Sequence, residues 1–484
     1  MTEDNLMDYR GRGRFIGNMI HKCVSCGQLS EEKLNICCKN SHVKEDYQLS
    51  GFGQVSSYTG EFDGVLKFPN VTVKLKEGII DRDGIWVGIE EPDIGKPVEF
   101  RVRLSRFDRR PSYNTPHRAY SEALAKDIPF KVNYVGEDVG IRGWGTWIGE
   151  YSIPTKEIAP SDFIEKRIAH PTEDAFTMAS EAAIYARSRA GCDLKGPGTI
   201  LLGTEHKPTH SQPYSNLIGT RVNAPPTFDT GDLSAACLAG QNTLVNCLCQ
   251  VEAKQSDWGI SAWSDYAGFL GRADEDLRRF TGDGASVLEV GRGNKENLVA
   301  VPIRNKDGRF TSKYATFTPD YDVDSQARAF HGKRFTGKPG YEHHTREAGK
   351  AFFKDFDLKP ADFTYFVGHN PNLGFVLKLG KDFGFTDAQM APNRTVSPLL
   401  GNHYSACAEF SWALEHSKPE DRIYLEKYGS GAQAEVIPFL VLGGVEERKG
   451  VAPTVDELIV HKKMIILAEH EKLMKMREEI LGFA

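Results

Sequence analysis

The sequence predicts an α/β protein, a mixed or parallel sheet covered by helices, preceded by a small antiparallel β unit. Three observations predict it. From Val139 onward, short apolar runs such as Thr199 to Leu202 and Tyr365 to Val367 alternate with helical stretches such as Asp174 to Ala190. Before that, Val71, Val73 and Leu75 alternate with Thr72 and Lys74, and Val98, Phe100, Val102 and Leu104 alternate with Glu99, Arg101 and Arg103. Period two with Gly-rich breaks marks half-buried strands of a small barrel or sandwich. Finally, the chain has 484 residues, 40% hydrophobic and 26% charged, enough for several domains with cores of their own.

In chain order, residues 1–45 are polar and rich in Cys, His and Lys, and read as a small metal-stabilised unit or an arm. The alternating strands occupy 50–105. Residues 106–137 have no clear period and read as a linker with a short helix around Ser121 to Lys126. The tail from Thr454 onward reads as one long helix, opened by a capping box of Thr454 and Glu457. Ile459, Ile466, Leu473 and Ile480 recur every seventh residue, but Lys462 and Glu469 charge the other seam positions, so packing on its own domain is expected rather than a coiled coil.

Composition excludes some functions. A net charge of -6 argues against nucleic acid as the main partner, because phosphate binding needs an excess of cations. Nine cysteines spread over this length do not make a disulfide framework. The start, MTEDNLMDYRGRGRF, is not a signal peptide, and the longest apolar run, Val436 to Val445, falls short of the ~20 residues of a membrane helix. The expectation is a cytoplasmic protein with no membrane contact.

Several segments carry chemistry. Gly231 to Gly240 (GDLSAACLAG) sets Cys237 after a short apolar run, among small residues, before a helix-compatible stretch. At a strand-to-helix junction the helix dipole would lower the thiol pKa, and the plain alternative is a buried small residue. His369 in Gly368-His-Asn-Pro-Asn-Leu-Gly374 and Glu205 in Leu202-Gly-Thr-Glu-His206 each stand at a strand end, where sheets of this kind place their sites, and Asn402 in Leu400-Gly-Asn-His-Tyr-Ser-Ala406 offers a carboxamide on a turn beside small residues. Two decoys stand beside them. Gly143-Trp-Gly145 lacks the third glycine and the acidic residue of a dinucleotide loop, and His343-His344 lacks helical ligand spacing and reads as a solvated helix face.

Taken together, from about Val139 to the C-terminus the chain resembles hydroxymethylglutaryl-CoA synthases. Val139 to Ile148 (VGIRGWGTWI) resembles that family's first strand and turn, Asp232 to Gly240 its nucleophile segment, and Gly282-Asp-Gly-Ala285 its central loop. Arg334 to Tyr341, Leu358 to Phe363, the His369 segment, Gly401 to Ser405 and Tyr428 to Ala432 follow in the family's order. The resemblance implies a two-lobed thiolase-like fold, layered α-β-α-β-α. It implies Cys237 as the acyl-accepting nucleophile, Glu205 as the general base, His369 and Asn402 as ligands of the second substrate's carbonyl oxygens, and Ser430 and Gly431 at the pocket border. Coenzyme A thioesters would be the substrates and a homodimer the assembly. Departures bear on the acyl groups: Ser-Ala-Ala-Cys-Leu-Ala around Cys237, His403 where Thr is frequent, Asn370 after His369, and Glu435 where Asp is usual.

Cys23-Val-Ser-Cys26, then Cys37, Cys38 and His42, resembles half of a zinc ribbon, and the strands after Gly53 resemble the OB-like barrel of acyl-CoA-associated proteins. Zinc on Cys23, Cys26, Cys37 and Cys38 is the implied site, with His42 as an alternative ligand. The resulting division is 1–48 ribbon, 49–106 barrel, 107–137 linker, 138–315 half with the nucleophile, and 316–484 half with His369 and Asn402. Two rivals remain: a thiolase or ketoacyl synthase on other acyl groups, and a non-catalytic scaffold holding a partner thiolase.

Overall fold

The computed structural model describes residues 131–207, 213–270, 275–316 and 340–481. Before 131 it describes the eight strands named next and residues 94–95. The helix expected around Ser121 to Lys126 lies outside the described residues. The chain divides into two compact units, 1–129 with 219–224 and 477–484, and 130–218 with 225–476.

In the first unit, β1 (Met19–Cys23) pairs antiparallel with β2 (Leu29–Ser30) and β3 (Lys44–Gln48). The alternating segments form a five-stranded antiparallel sheet from β4 (Phe52–Thr59), β5 (Asn70–Leu75), β6 (Asp81–Ile85), β7 (Pro97–Leu104) and β8 (Pro111–Arg118), in the order β6-β5-β4-β7-β8. Strand β8 lies in the stretch read as a linker. Its two prolines and mixed residues hide any period, and it is the edge strand on that path, where proline is tolerated.

The second unit is built on a ten-stranded mixed sheet. One arm holds β13 (Phe228–Leu233), β12 (Gly198–Gly203), β14 (Trp258–Tyr266), β15 (Asp283–Gly293) and β9 (Asp138–Ile148). The other holds β16 (Ala300–Pro302), β20 (Gln433–Val441), β19 (Arg422–Gly429) and β18 (Tyr365–Gly368), with β17 (Ser312–Ala315) on β20. Strand β12 runs parallel to β13 and β14, and β18 parallel to β19, so crossover helices are required. A smaller sheet of β10 (Tyr151–Pro154), β11 (Glu165–Ile168) and β21 (Lys463–Met464) completes the set.

Helix α1 (Ala175–Ala190) begins at the Asp174 capping box and covers β9, β15 and β14. The Gly143-Trp-Gly145 decoy lies inside β9 and answers to this packing. A Cβ on Gly145 would sit 2.0 Å from the Ala182 carbonyl oxygen, and one on Gly143 would sit 2.3 Å from that of Ala186. Helices α2 (Ala239–Glu252) and α3 (Ala408–His416) share one core with strands of both arms, joining Leu244, Leu248, Phe410 and Leu414 to Ile141, Val290, Ile423 and Phe439. Helix α4 (Tyr341–Asp355) packs on β17, β19 and β20 around an aromatic cluster of Phe352, Phe363, Phe366 and Tyr424. This is a mixed α/β fold of helix and sheet layers. His344 corrects the solvated-face reading: on α4 it is fully buried, Nε2 lying 2.6 Å from Thr316 Oγ1 and Nδ1 2.9 Å from the Gly340 carbonyl.

The tail also differs from expectation. It forms two helices, α5 (Val455–Val460) and α6 (Leu467–Leu481), separated by β21. The Thr454–Glu457 capping box opens α5 as read. Buried Arg167 then donates to the carbonyls of Leu458, Ile459 and His461, taking the acceptors that a continuing helix would use. The chain pairs instead with β10, and Ile466, a supposed seam position, is 57% exposed.

Candidate active site

Cys237 lies between the end of β13 and the start of α2, as its surroundings predicted. The small residues around it permit close approach. A Cβ on Gly203 would come within 2.4 Å of Ala239, and one on Gly240 within 2.4 Å of the Trp263 ring. Ala236 adopts a left-handed φ of 47°, a sparsely populated conformation that recurs at functional turns. The Cys237 side chain is buried, within reach of the charge on the Glu205 carboxylate.

That environment corrects one expectation. The thiol pKa is pushed up, not down, first by burial and then by the Glu205 carboxylate, while Lys427 pulls it back. The partial charge of a helix end does not offset burial beside an anion.

Glu205 follows β12. Its backbone N–H donates to Asp265 Oδ1 at 2.8 Å, as does Thr204 Oγ1, and His206 Nδ1 lies 3.0 Å from the same oxygen. Asp265 Oδ2 accepts from the Ser405 N–H at 2.9 Å. Fully buried Asp265, near the end of β14, therefore fixes the Glu205 loop and the Asn402 to Ser405 loop against each other. Asn402 Oδ1 accepts from the Tyr404 N–H at 2.9 Å, which leaves the Nδ2 donors as the remaining polar function of that amide. The His206 and Tyr404 rings stack with centroids 5.4 Å apart.

His369 leaves the end of β18, its N–H donating to the Glu426 carbonyl at 2.8 Å. The imidazole is buried, and neither ring nitrogen has a partner among the described residues. Burial, and secondarily Lys427, hold its pKa well below the usual value, so the ring is neutral. His403, beside Asn402, is likewise pushed down to about 3, chiefly by burial.

Ser430 and Gly431 form the turn between β19 and β20. A Cβ on the preceding Gly429 would lie 2.3 Å from the Ala235 carbonyl oxygen, so this turn sits against the Cys237 segment. Lys427, two residues earlier, is buried and donates to the carbonyls of Tyr404 at 2.8 Å and Ala406 at 3.1 Å.

Of the residues that the sequence reading named, Cys237, Glu205 and His369 follow strand ends, while Asn402 lies in the loop before α3 that Asp265 ties to the Glu205 loop; the reading missed Asp265 and Lys427. Asp265 had a signal, a carboxylate near the end of the apolar run Trp258 to Tyr266. Lys427 had none, because Glu426-Lys427 reads as an ordinary surface pair. Of the expected zinc ligands, Cys23 ends β1, while Cys26, Cys37, Cys38 and His42 lie outside the described residues. Among the described residues no cluster of His, Cys, Asp or Glu could hold a metal ion, and no helix is long and apolar enough to cross a membrane.

No family model matches the chain. A hydroxymethylglutaryl-CoA synthase of Methanopyrus kandleri is 32% identical over 354 residues, 70% of this chain and 98% of that protein. One of Methanosarcina barkeri is 33% identical over 349 residues, 69% of this chain and 97% of that protein. Among solved structures, MvaS in complex with 3-hydroxy-3-methylglutaryl coenzyme A is similar with a TM-score of 0.58 at 18% identity, over 70% of this chain and 92% of that one. An HMG-CoA synthase complexed with CoA gives 0.56 at 18%, over 69% and 90%. These solved structures share the fold, while the archaeal relatives match over nearly their whole length. The chain belongs to the hydroxymethylglutaryl-CoA synthase family and is an acyl-CoA condensing acyltransferase of that type.

Proposed function

We propose that the chain condenses acetyl-CoA with acetoacetyl-CoA to 3-hydroxy-3-methylglutaryl-CoA through an acyl-Cys237 intermediate. The observation that carries this reading is the buried Cys237 thiol in the field of the Glu205 carboxylate, with the unpartnered His369 imidazole sharing the field of the same buried lysine. Glu205 takes the thiol proton, the sulfur attacks the acetyl thioester, and coenzyme A leaves as its thiol. Glu205, having released that proton, removes one from the acetyl methyl group, and the enolate carbon attacks the ketone of acetoacetyl-CoA. Neutral His369 and the Asn402 amide donate to the carbonyl oxygens where negative charge develops. Glu205 returns the proton to the new alkoxide, and water cleaves the Cys237 thioester to free the product.

Intact-protein mass spectrometry after mixing with acetyl-CoA tests this. A single acetyl adduct is expected, absent in Cys237→Ala. In Glu205→Gln the condensation rate should fall by at least about 10²-fold, the scale of a lost general base. Full activity of either variant would sink the mechanism.

For the N-terminal unit we propose a ribbon followed by an OB-like barrel. In support, Cys23 ends β1, which pairs antiparallel with β2, and the Cys23-x-x-Cys26 spacing of the sequence is that of a zinc knuckle. Cys37 with Cys38 or His42 would complete a structural zinc site. Elemental analysis of the purified chain should find one zinc per chain, and its absence would refute the site. Homodimerisation follows from the family resemblance and, with a cytoplasmic location, belongs to the same proposal.

A further inference from the structure

We propose that Lys427 is a positioning residue whose charge governs the site, acting through Cys237 and His369 rather than on substrate. This rests on the reading of Cys237 as the nucleophile. Three observations on the structure point to it.

First, the placement is specific. Strand β19 alternates its side chains, Tyr424 and Tyr428 facing the aromatic cluster while Leu425 joins the core that α2 and α3 share with both arms of the sheet. Lys427 follows Leu425 onto that second side, and Nζ reaches the carbonyls of Tyr404 and Ala406 in the loop that carries Asn402. Second, the charge lacks a direct counter-charge. Lys427 is 2% exposed, and among the described residues no carboxylate pairs with it. A buried ammonium held only by two carbonyls is costly, which argues that its charge is balanced by something in the site. Third, the groups that feel it are those the chemistry uses. Lys427 favours the Cys237 thiolate against the opposing Glu205 and Asp265, and it favours the neutral form of both His369 and His403.

One cation thus has two useful effects. It partly offsets the burial that disfavours the thiolate, and it keeps the imidazoles as neutral donors. Lys427 also braces a loop, so the test must separate charge from brace. Lys427→Gln removes the charge and keeps an N–H donor for the carbonyls. Lys427→Met removes both, and Lys427→Arg keeps the charge.

The measurement is the rate of iodoacetamide alkylation, mapped to Cys237 by peptide analysis, across roughly pH 6 to 10. Below its midpoint the rate follows the thiolate fraction, so both neutral variants should alkylate Cys237 about tenfold or more slowly at each pH of this range, with Lys427→Arg near the wild type. A Gln profile matching the wild type, whatever Met does, would make Lys427 a brace only and overturn the proposal. So would a Gln variant that no longer folds while Arg does, since Gln retains the donor. An acetyl adduct that maps to a residue other than Cys237 would instead remove the nucleophile reading. An adduct on Cys237 with an unmoved profile would remove only the role of Lys427.

Discussion

At the scale of single residues, the site is held together by Asp265. Its two oxygens accept from Thr204, from the Glu205 N–H and from the Ser405 N–H, so one buried carboxylate fixes both the base loop and the Asn402 loop. Replacing it by Ala orphans those donors, at about 1–3 kcal/mol each. Asp265→Ala should therefore lower thermal stability and slow single-turnover acylation of Cys237 by at least about tenfold, while Asp265→Asn, which keeps one acceptor, should lose less. Equal acylation rates in Asp265→Ala and the wild type would remove the positioning role. The candidate nucleophile, base and histidine were legible in the sequence because each sits in a short segment near a strand end, and the asparagine because it sits on a turn beside small residues. Asp265 and Lys427 were not, because an isolated charge in a strand looks the same whether it faces solvent or a pocket. The thiol pKa was misread for a related reason: helix polarity can be read from sequence, whereas burial beside Glu205 depends on the assembled fold.

Among the elements, legibility followed the range of the interactions that decide each one. Helix α1 and strands β12 and β18 are set by local period and, for α1, by the Asp174 cap, and they form where the pattern put them. The capping box of α5 is local too and holds. Where that helix stops is decided by Arg167, nearly 300 residues earlier in the chain, which gathers carbonyls from its last turn. No window around Thr454 contains that information. The same limit explains the glycines of β9. They resemble a phosphate loop locally, yet their reason is the backbone of α1 lying within contact distance. A seven-residue recurrence across Ile459, Ile466 and Leu473 likewise meant nothing once a strand separated the first two, leaving Ile466 in solvent.

For the whole second unit, buried neutral imidazoles give stability a defined dependence on pH. His369 is held well below its usual pKa, His403 at about 3 and His470 at about 2, each chiefly by burial. An unfolded imidazole titrates near 6.5, so between these values the unfolded chain binds more protons than the folded one. Each contribution is fully present above about pH 6.5 and is lost as pH falls, at about 1.4 kcal/mol per pH unit for each ring. Lys166, beside His470 and pushed down to about 7, loses its share earlier, between about 10.5 and 7. Glu415, Glu426 and Glu435 have raised pKa values from burial and oppose the imidazoles above the ordinary carboxyl value. Below about pH 4.5 those carboxyls are protonated in both states, so they no longer offset the rings. The acid limb of stability should therefore begin near pH 6.5 and steepen below about 4.5. His470 isolates one ring from the catalytic ones, because both its nitrogens are buried without a partner among the described residues, facing the cations Lys166 and Arg278. Replacing it by Leu should leave condensation intact and reduce the slope of unfolding free energy against pH by about 1.4 kcal/mol per unit in that range, measured by denaturant titration at stepped pH. An unchanged slope would mean that His470 takes up its proton in the folded protein, and that Lys166 and Arg278 leave room for a further charge.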